Sequence, residues 1–149
     1  MDTIGLSGPH WLAVLRIGLG LWWLESWRHK DRKSWFEGAG IAWAADIAAR
    51  HRWSAVRSGF ERVVAPRPRA MAYVVGGAEL ALGLGLTAGF LTPVALLAGL
   101  LLNALYFVLM IHDWAEQGQN AMMALISLVG LFGMAWQGWS LDAALGWFG

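Results

Sequence analysis

Positive charge is confined to one stretch of this chain. Of its 11 Lys and Arg residues, ten lie between Arg28 and Arg69, and none follows Arg69. The tail beyond Arg69 consists of long apolar runs broken by a few turn residues. A water-soluble chain needs charge spread over its surface, whereas a membrane chain needs it in the loops on one side of the bilayer. The distribution therefore predicts an integral membrane protein whose orientation is set by a single basic loop.

Composition points the same way. The chain is 58% hydrophobic and 14% charged, with a mean hydropathy of +0.50. A typical globular domain is about 25% charged. Its 149 residues leave room for one membrane domain, 1–149. The net charge of +1 averages the basic loop, with ten positive and four negative residues, against an acidic remainder. A basic segment beside a membrane span is read as facing anionic lipid head groups, not nucleic acid. The chain has no cysteine, which excludes disulfides, thiolate catalysis and Cys-ligated clusters or zinc. Met1 to His10 lacks a basic n-region, so the first apolar run is not a usual signal peptide.

Four runs are candidate spans: Trp11–Trp27, Ala70–Leu91, Pro93–Ile111 and Ala121–Trp136. A helix of about 20 residues crosses about 30 Å of hydrocarbon. The first run is interrupted by Arg16 and closed by Glu25, so an interfacial placement is its alternative. The runs do not alternate in polarity, which argues against strands. The fold class expected is all-α: a four-transmembrane-helix bundle with an amphipathic helical insertion, residues 28–69, between helices 1 and 2. Ile41, Ala44, Ala45, Ala48 and Ala49 share a face of that insertion, and Arg50, Arg52, Arg57 and Arg62 follow. It reads equally as helices lying on the membrane surface or as a helical cap on the bundle. Pro93 suits the first turn of the third span.

Charge bias puts the insertion in the cytoplasm and both termini outside, as expected of a multi-pass protein of the bacterial inner membrane. Many of the 11 Trp residues fall near span ends, where indoles anchor helices at the interface. In the second span Gly77, Ala81, Gly85 and Gly89 repeat every fourth residue, a small-residue stripe for close helix packing. Its partner is a helix of this chain or of another subunit.

Three polar side chains lie well inside the runs: Arg16, Glu79 and Asn103. Such residues usually face the bundle interior and have partners. Depth counting at 1.5 Å per residue puts Glu79 ~13 Å from the cytoplasmic side and Asn103 ~15 Å from the outer side. An Arg16–Glu79 pair near Asn103 is feasible, with Tyr106 on the Asn103 face. Two readings stand: an ion pair that locks the bundle, or a buried polar site for a quinone or an anion. Glu25, His112, Asp113 and Asn120 form a second candidate cluster, a polar one at the loops, which solvation and capping explain more simply. The histidines lack metal-ligand spacing, so no metal site is expected. Boundary histidines leave contact with a haem or a chlorophyll open. No phosphate-loop or hydrolase motif occurs.

The pattern resembles the DoxX/DoxD family of small four-helix bacterial membrane proteins. The resemblance rests on Arg16-Ile17-Gly18-Leu19-Gly20 with Glu25 and Lys30, then Gly76-Gly77-Ala78-Glu79-Leu80-Ala81-Leu82-Gly83-Leu84-Gly85-Leu86 and Leu91-Thr92-Pro93. It continues with Gly118-Gln119-Asn120-Ala121-Met122 and Ser140-Leu141-Asp142-Ala143. The long insertion looks like the DoxD-like branch. The resemblance implies a membrane subunit linked to thiosulfate oxidation with quinone as acceptor, working with a separately folded soluble subunit. It also implies that Arg16 and Glu79 are polar residues of the bundle core and that Asn120 holds the last loop against it. The function expected is thus a subunit of a quinone-linked oxidoreductase, with no covalently bound cofactor. The alternative is a non-catalytic accessory subunit of a larger respiratory or photosynthetic complex. A small-solute transporter fits less well, because four short spans offer few broken helices.

Overall fold

The computed structural model describes residues 7–148. Residues 1–6 and 149, and with them the chain ends whose side of the membrane the basic loop assigns, lie outside the described residues. The described residues are helical, without strands. The long helices are α1 (Gly8–His29), α5 (Pro68–Ala88), α6 (Thr92–Leu109) and α7 (Trp114–Phe132). Between α1 and α5 lie α2 (Arg32–Phe36), α3 (Ala39–Ala49) and α4 (Ser54–Gly59), the last continued by a π-helical turn, Phe60–Val64. A short α8 (Leu141–Ala144) follows α7.

Two of these helices, α5 and α6, are long and apolar enough to cross a membrane, with mean hydropathies of 1.4 and 2.0. Only 33% of each apolar stretch is buried, and many of their apolar side chains, among them Val74, Leu84, Leu97 and Leu101, face outward. The flanking helices are more polar. Arg16 interrupts α1, which ends in Glu25, Arg28 and His29, and α7 opens on Trp114-Ala115-Glu116-Gln117.

Packing divides the long helices into two tight antiparallel pairs, α1 with α5 and α6 with α7. Thinner seams join α1 to α7 and α5 to α6. Glycines make the tight pairing possible. A Cβ on Gly20 would meet the Thr87 backbone nitrogen at 2.6 Å, and one on Gly83 would meet Leu24 Cδ2 at the same distance. The stripe singled out in the sequence is placed differently. Gly77 and Ala81 are exposed, and a Cβ on Gly77 would touch nothing within 4 Å. The packed face of α5 is the neighbouring one, through Gly76 and Gly83, because the helix turns that side to α1 and α2. The core is built on Leu19, Trp23, Leu82, Leu86, Leu96 and Met123.

Helix ends differ from the apolar runs where caps decide them. Asp113 accepts hydrogen bonds from the backbone of Ala115 and Glu116 at 3.1 Å. This N-cap starts α7 at Trp114, so the polar stretch expected as a loop forms its first turns. At the other end the helix closes at Phe132, short of Trp136. Gly89 ends α5 with a φ of 69°, the left-handed cap that glycine adopts most readily. Pro93 lies in the first turn of α6, as expected.

The insertion packs on the bundle as a helical cap. Its α3 rests on α5 and α6 and buries Ile41 and Ala48. His51, 1% exposed, fastens its end: Nε2 donates to the Val108 carbonyl at 3.0 Å, and Nδ1 accepts from the Trp53 amide at 3.1 Å. Trp35 Nε1 donates to the Ala72 carbonyl of α5 at 3.1 Å.

The contrast between packed and open glycines is testable. Gly20→Ala forces a methyl into backbone that cannot withdraw and is expected to cost about 1–3 kcal/mol. Gly77→Ala has open space and gains helix propensity, so it is expected to be neutral or to stabilise by up to about 1 kcal/mol. Thermal unfolding of the two variants in detergent should show a lowered midpoint for the first alone.

Candidate functional site

The antiparallel register of α1 and α5 decides which polar groups meet. With Gly20 beside Thr87 and Leu24 beside Gly83, Glu79 lies level with the end of α1. Arg16 lies level with the Gly89–Leu91 turn at the opposite end. The Arg16–Glu79 pairing considered from the sequence is therefore not formed. Glu79, 2% exposed, instead binds Lys30, whose Nζ is 2.6 Å from Oε2. Tyr106 donates its hydroxyl to Glu79 Oε1 at 3.2 Å. Lys30 follows the last residue of α1, so its long side chain can turn back into the bundle while its backbone stays at the end. Its ammonium also sits 4.5 Å from the centre of the Trp35 ring, a cation–π contact from the insertion.

Arg16 belongs to another assembly. It is 1% exposed, and its Nη2 donates to the Trp139 carbonyl at 2.7 Å. The guanidinium lies against Gly89, where a Cβ would collide with Nη1 and with Ser140. Asp142, fully buried, accepts from the Leu91 and Thr92 amides at 2.8 and 2.7 Å and so caps α6. Arg16 and Asp142 together clasp the segment after α7 to the α5–α6 turn. The role of Asp142 was legible in principle: it is the only acidic residue after Glu116, in an otherwise apolar tail.

Asn103 is fully buried, and neither its Nδ2 nor its Oδ1 has a hydrogen-bond partner among the described residues. The buried Trp23 Nε1 on α1 is likewise unpartnered. Both residues line a cavity of about 340 Å³ between the two helix pairs. Lys30, Glu79, Tyr106 and Asn120 line it too, and Ile41, Trp43 and Phe60 of the insertion roof it. Most of its wall is aromatic or aliphatic. Of the four polar residues proposed from sequence, three (Glu79, Asn103 and Tyr106) thus share one cavity, and Lys30, Trp23 and Asn120 join them.

The loop cluster proposed from sequence does not assemble. Glu25 is exposed and pairs with Arg28 at 2.7 Å and His29 at 3.2 Å. Asp113 caps α7, and the His112 ring lies 6.4 Å from that of His51. Asn120, buried, donates to the Glu116 carbonyl at 2.7 Å and faces the cavity.

Chemically, residues of the cavity wall carry unmatched donors (Asn103 and Trp23), an unmatched acceptor (Asn103) and an acid–base group with two partners, the unmatched atoms lying buried at the wall. An apolar molecule with a compact head that both accepts and donates hydrogen bonds complements that set. Comparison with protein-family models, with curated proteins and with solved structures finds no match to this chain.

The ion pair itself makes a prediction. Lys30→Met leaves the Glu79 carboxylate buried without its counter-charge and is expected to destabilise the fold by about 3 kcal/mol. Adding Glu79→Gln to that variant removes the stranded charge and should recover most of the loss. A double-mutant cycle in detergent, read by chemical unfolding, tests the coupling. Additive effects would show that the pair contributes nothing.

Proposed function

We propose that this chain is a four-span subunit of the bacterial inner membrane that binds a quinone in the cavity at Asn103, as the membrane part of a quinone-linked oxidoreductase. The observation that carries the reading is the buried Asn103 amide, both of whose polar atoms lack a partner among the described residues, in the wall of a mostly apolar cavity. Leaving buried polar groups unbonded costs about 1–3 kcal/mol each. A quinone carbonyl accepts from Asn103 Nδ2 or Trp23 Nε1, and a quinol hydroxyl donates to Asn103 Oδ1.

The outward-facing apolar side chains of α5 and α6 support the membrane placement. In that placement α1 and α7 cross beside them, with Arg16 turned inward and the basic insertion on the cytoplasmic side. Glu79 is the group that hands protons to the ring, with Tyr106 and Lys30 as its partners in that transfer. The resemblance to the DoxX/DoxD family supports thiosulfate as the electron donor, oxidised on a soluble partner subunit. Two thiosulfate ions joining as tetrathionate release two electrons, and the quinone takes these with two protons to become quinol.

A second reading, a non-catalytic accessory subunit, is favoured by one observation. Gly77 and Ala81 leave an exposed small-residue strip on α5, suited to close approach by a helix of another membrane protein. Glu79→Gln separates the readings: quinone reduction by the native membrane complex is lost if Glu79 passes protons and unchanged if the chain is accessory.

Binding is tested at Asn103. Asn103→Leu removes an unsatisfied amide, so the unfolding midpoint should hold or rise. Quinone affinity, measured by quenching of tryptophan fluorescence, should fall about tenfold or more. An unchanged affinity would remove Asn103 from the site.

A further inference from the structure

The two thin seams of the bundle open the cavity in chemically different ways. On the α1–α7 side its lining includes Glu116 and Gln119, both exposed, with Ser26. On the α5–α6 side, beneath α3, the lining includes Val75 and Leu105, with Trp43 above them. Leu105 is 49% exposed and Trp43 56%, so the cavity wall there is also the outer surface of the molecule. That surface is continuous with the outward apolar faces of α5 and α6.

We infer that the α5–α6 seam beneath α3 is a lateral mouth that passes the apolar tail of the quinone into the bilayer, while the α1–α7 seam is the aqueous mouth. The inference rests on the quinone reading. The head stays at Asn103 and Trp23. The tail leaves between Val75 and Leu105. Water and protons enter past Glu116 and Gln119. The occupant follows from continuity: an apolar channel running from unmatched hydrogen-bonding groups to a lipid-facing surface fits a molecule with a polar ring at one end and a chain at the other.

The absence of cysteine allows a clean test. Leu105→Cys is folded, labelled with pyrene maleimide in detergent and reconstituted in nanodiscs, so the same folded protein is compared before and after labelling. Met122→Cys, at a position 58% exposed on α7 and outside the cavity lining, is labelled likewise as the control. The probes are dimethoxy-methylbenzoquinone, which has no tail, and its decyl derivative. Labelling at position 105 should weaken decyl-quinone binding about tenfold or more, the effect of forcing bulk into filled apolar space. Binding of the tail-less ring should stay within about twofold. Labelling at position 122 should leave both unchanged. Undiminished decyl-quinone binding at position 105 overturns the lateral mouth. Equal loss of both quinones also overturns it, since position 105 would then belong to the head site. Failure of the unlabelled protein to bind either quinone overturns the head-group reading, and the tail route with it.

Discussion

The close approach of α1 and α5 is the constraint on which the rest of the structure depends. Gly20 and Gly83 remove side chains from the contact, and the two helices lock in one antiparallel register. That register carries α5 well past the end of α1. The overhanging turns need a cover, which α2 supplies through the Trp35 bond to Ala72 and through Trp35 and Phe36 against Gly76. It also brings Lys30 to Glu79 and leaves Arg16 at the far end, beside the segment capped by Asp142. One packing choice thus sets Lys30, and not Arg16, against Glu79.

The all-helical class, the four long segments and the helical insertion were legible because apolar runs of helical length leave little else to form. The three polar residues inside those runs were also legible, and Arg16, Glu79 and Asn103 are all buried. Their partners were not, because pairing depends on helix register, which apolar content does not encode. Depth counting assumed that α1 and α5 span the same slab, whereas α5 overhangs. Lys30 was hidden among ten basic residues and drew no notice as a buried partner. The glycine stripe misled for a related reason: adjacent glycines at 76 and 77 start two stripes on neighbouring faces, and only tertiary packing selects between them. The first turns of α7 escaped because a polar stretch reads as a loop until Asp113 is seen to cap it.

The two buried polar sites are unlike in what they explain about themselves. Glu79 has a counter-charge on one oxygen and a phenol on the other, so it is complete as a fastening between α1, α5 and α6. Arg16 and Asp142 join α1 to the chain after α7 and give the α6 amides an acceptor. Either set can be read as structure without any ligand. Removing them would expose uncompensated groups, and that cost alone accounts for their presence.

Asn103 resists that explanation. An amide has two donors and an acceptor with two lone pairs, and here none is used among the described residues. A leucine would fill the same space and bury no polar atom. A bridging water would satisfy part of the amide but would leave the apolar remainder of a cavity of about 340 Å³ unfilled. An anion would suit Trp23 and Lys30 but would leave Asn103 Oδ1 without a donor and would stand beside Glu79. A neutral ring bearing oxygens that accept in one redox state and donate in the other would meet the amide on both sides, carry no charge toward Glu79 and fill the apolar walls. That complementarity, more than the ion pair, is what supports the proposal of a quinone site in this cavity.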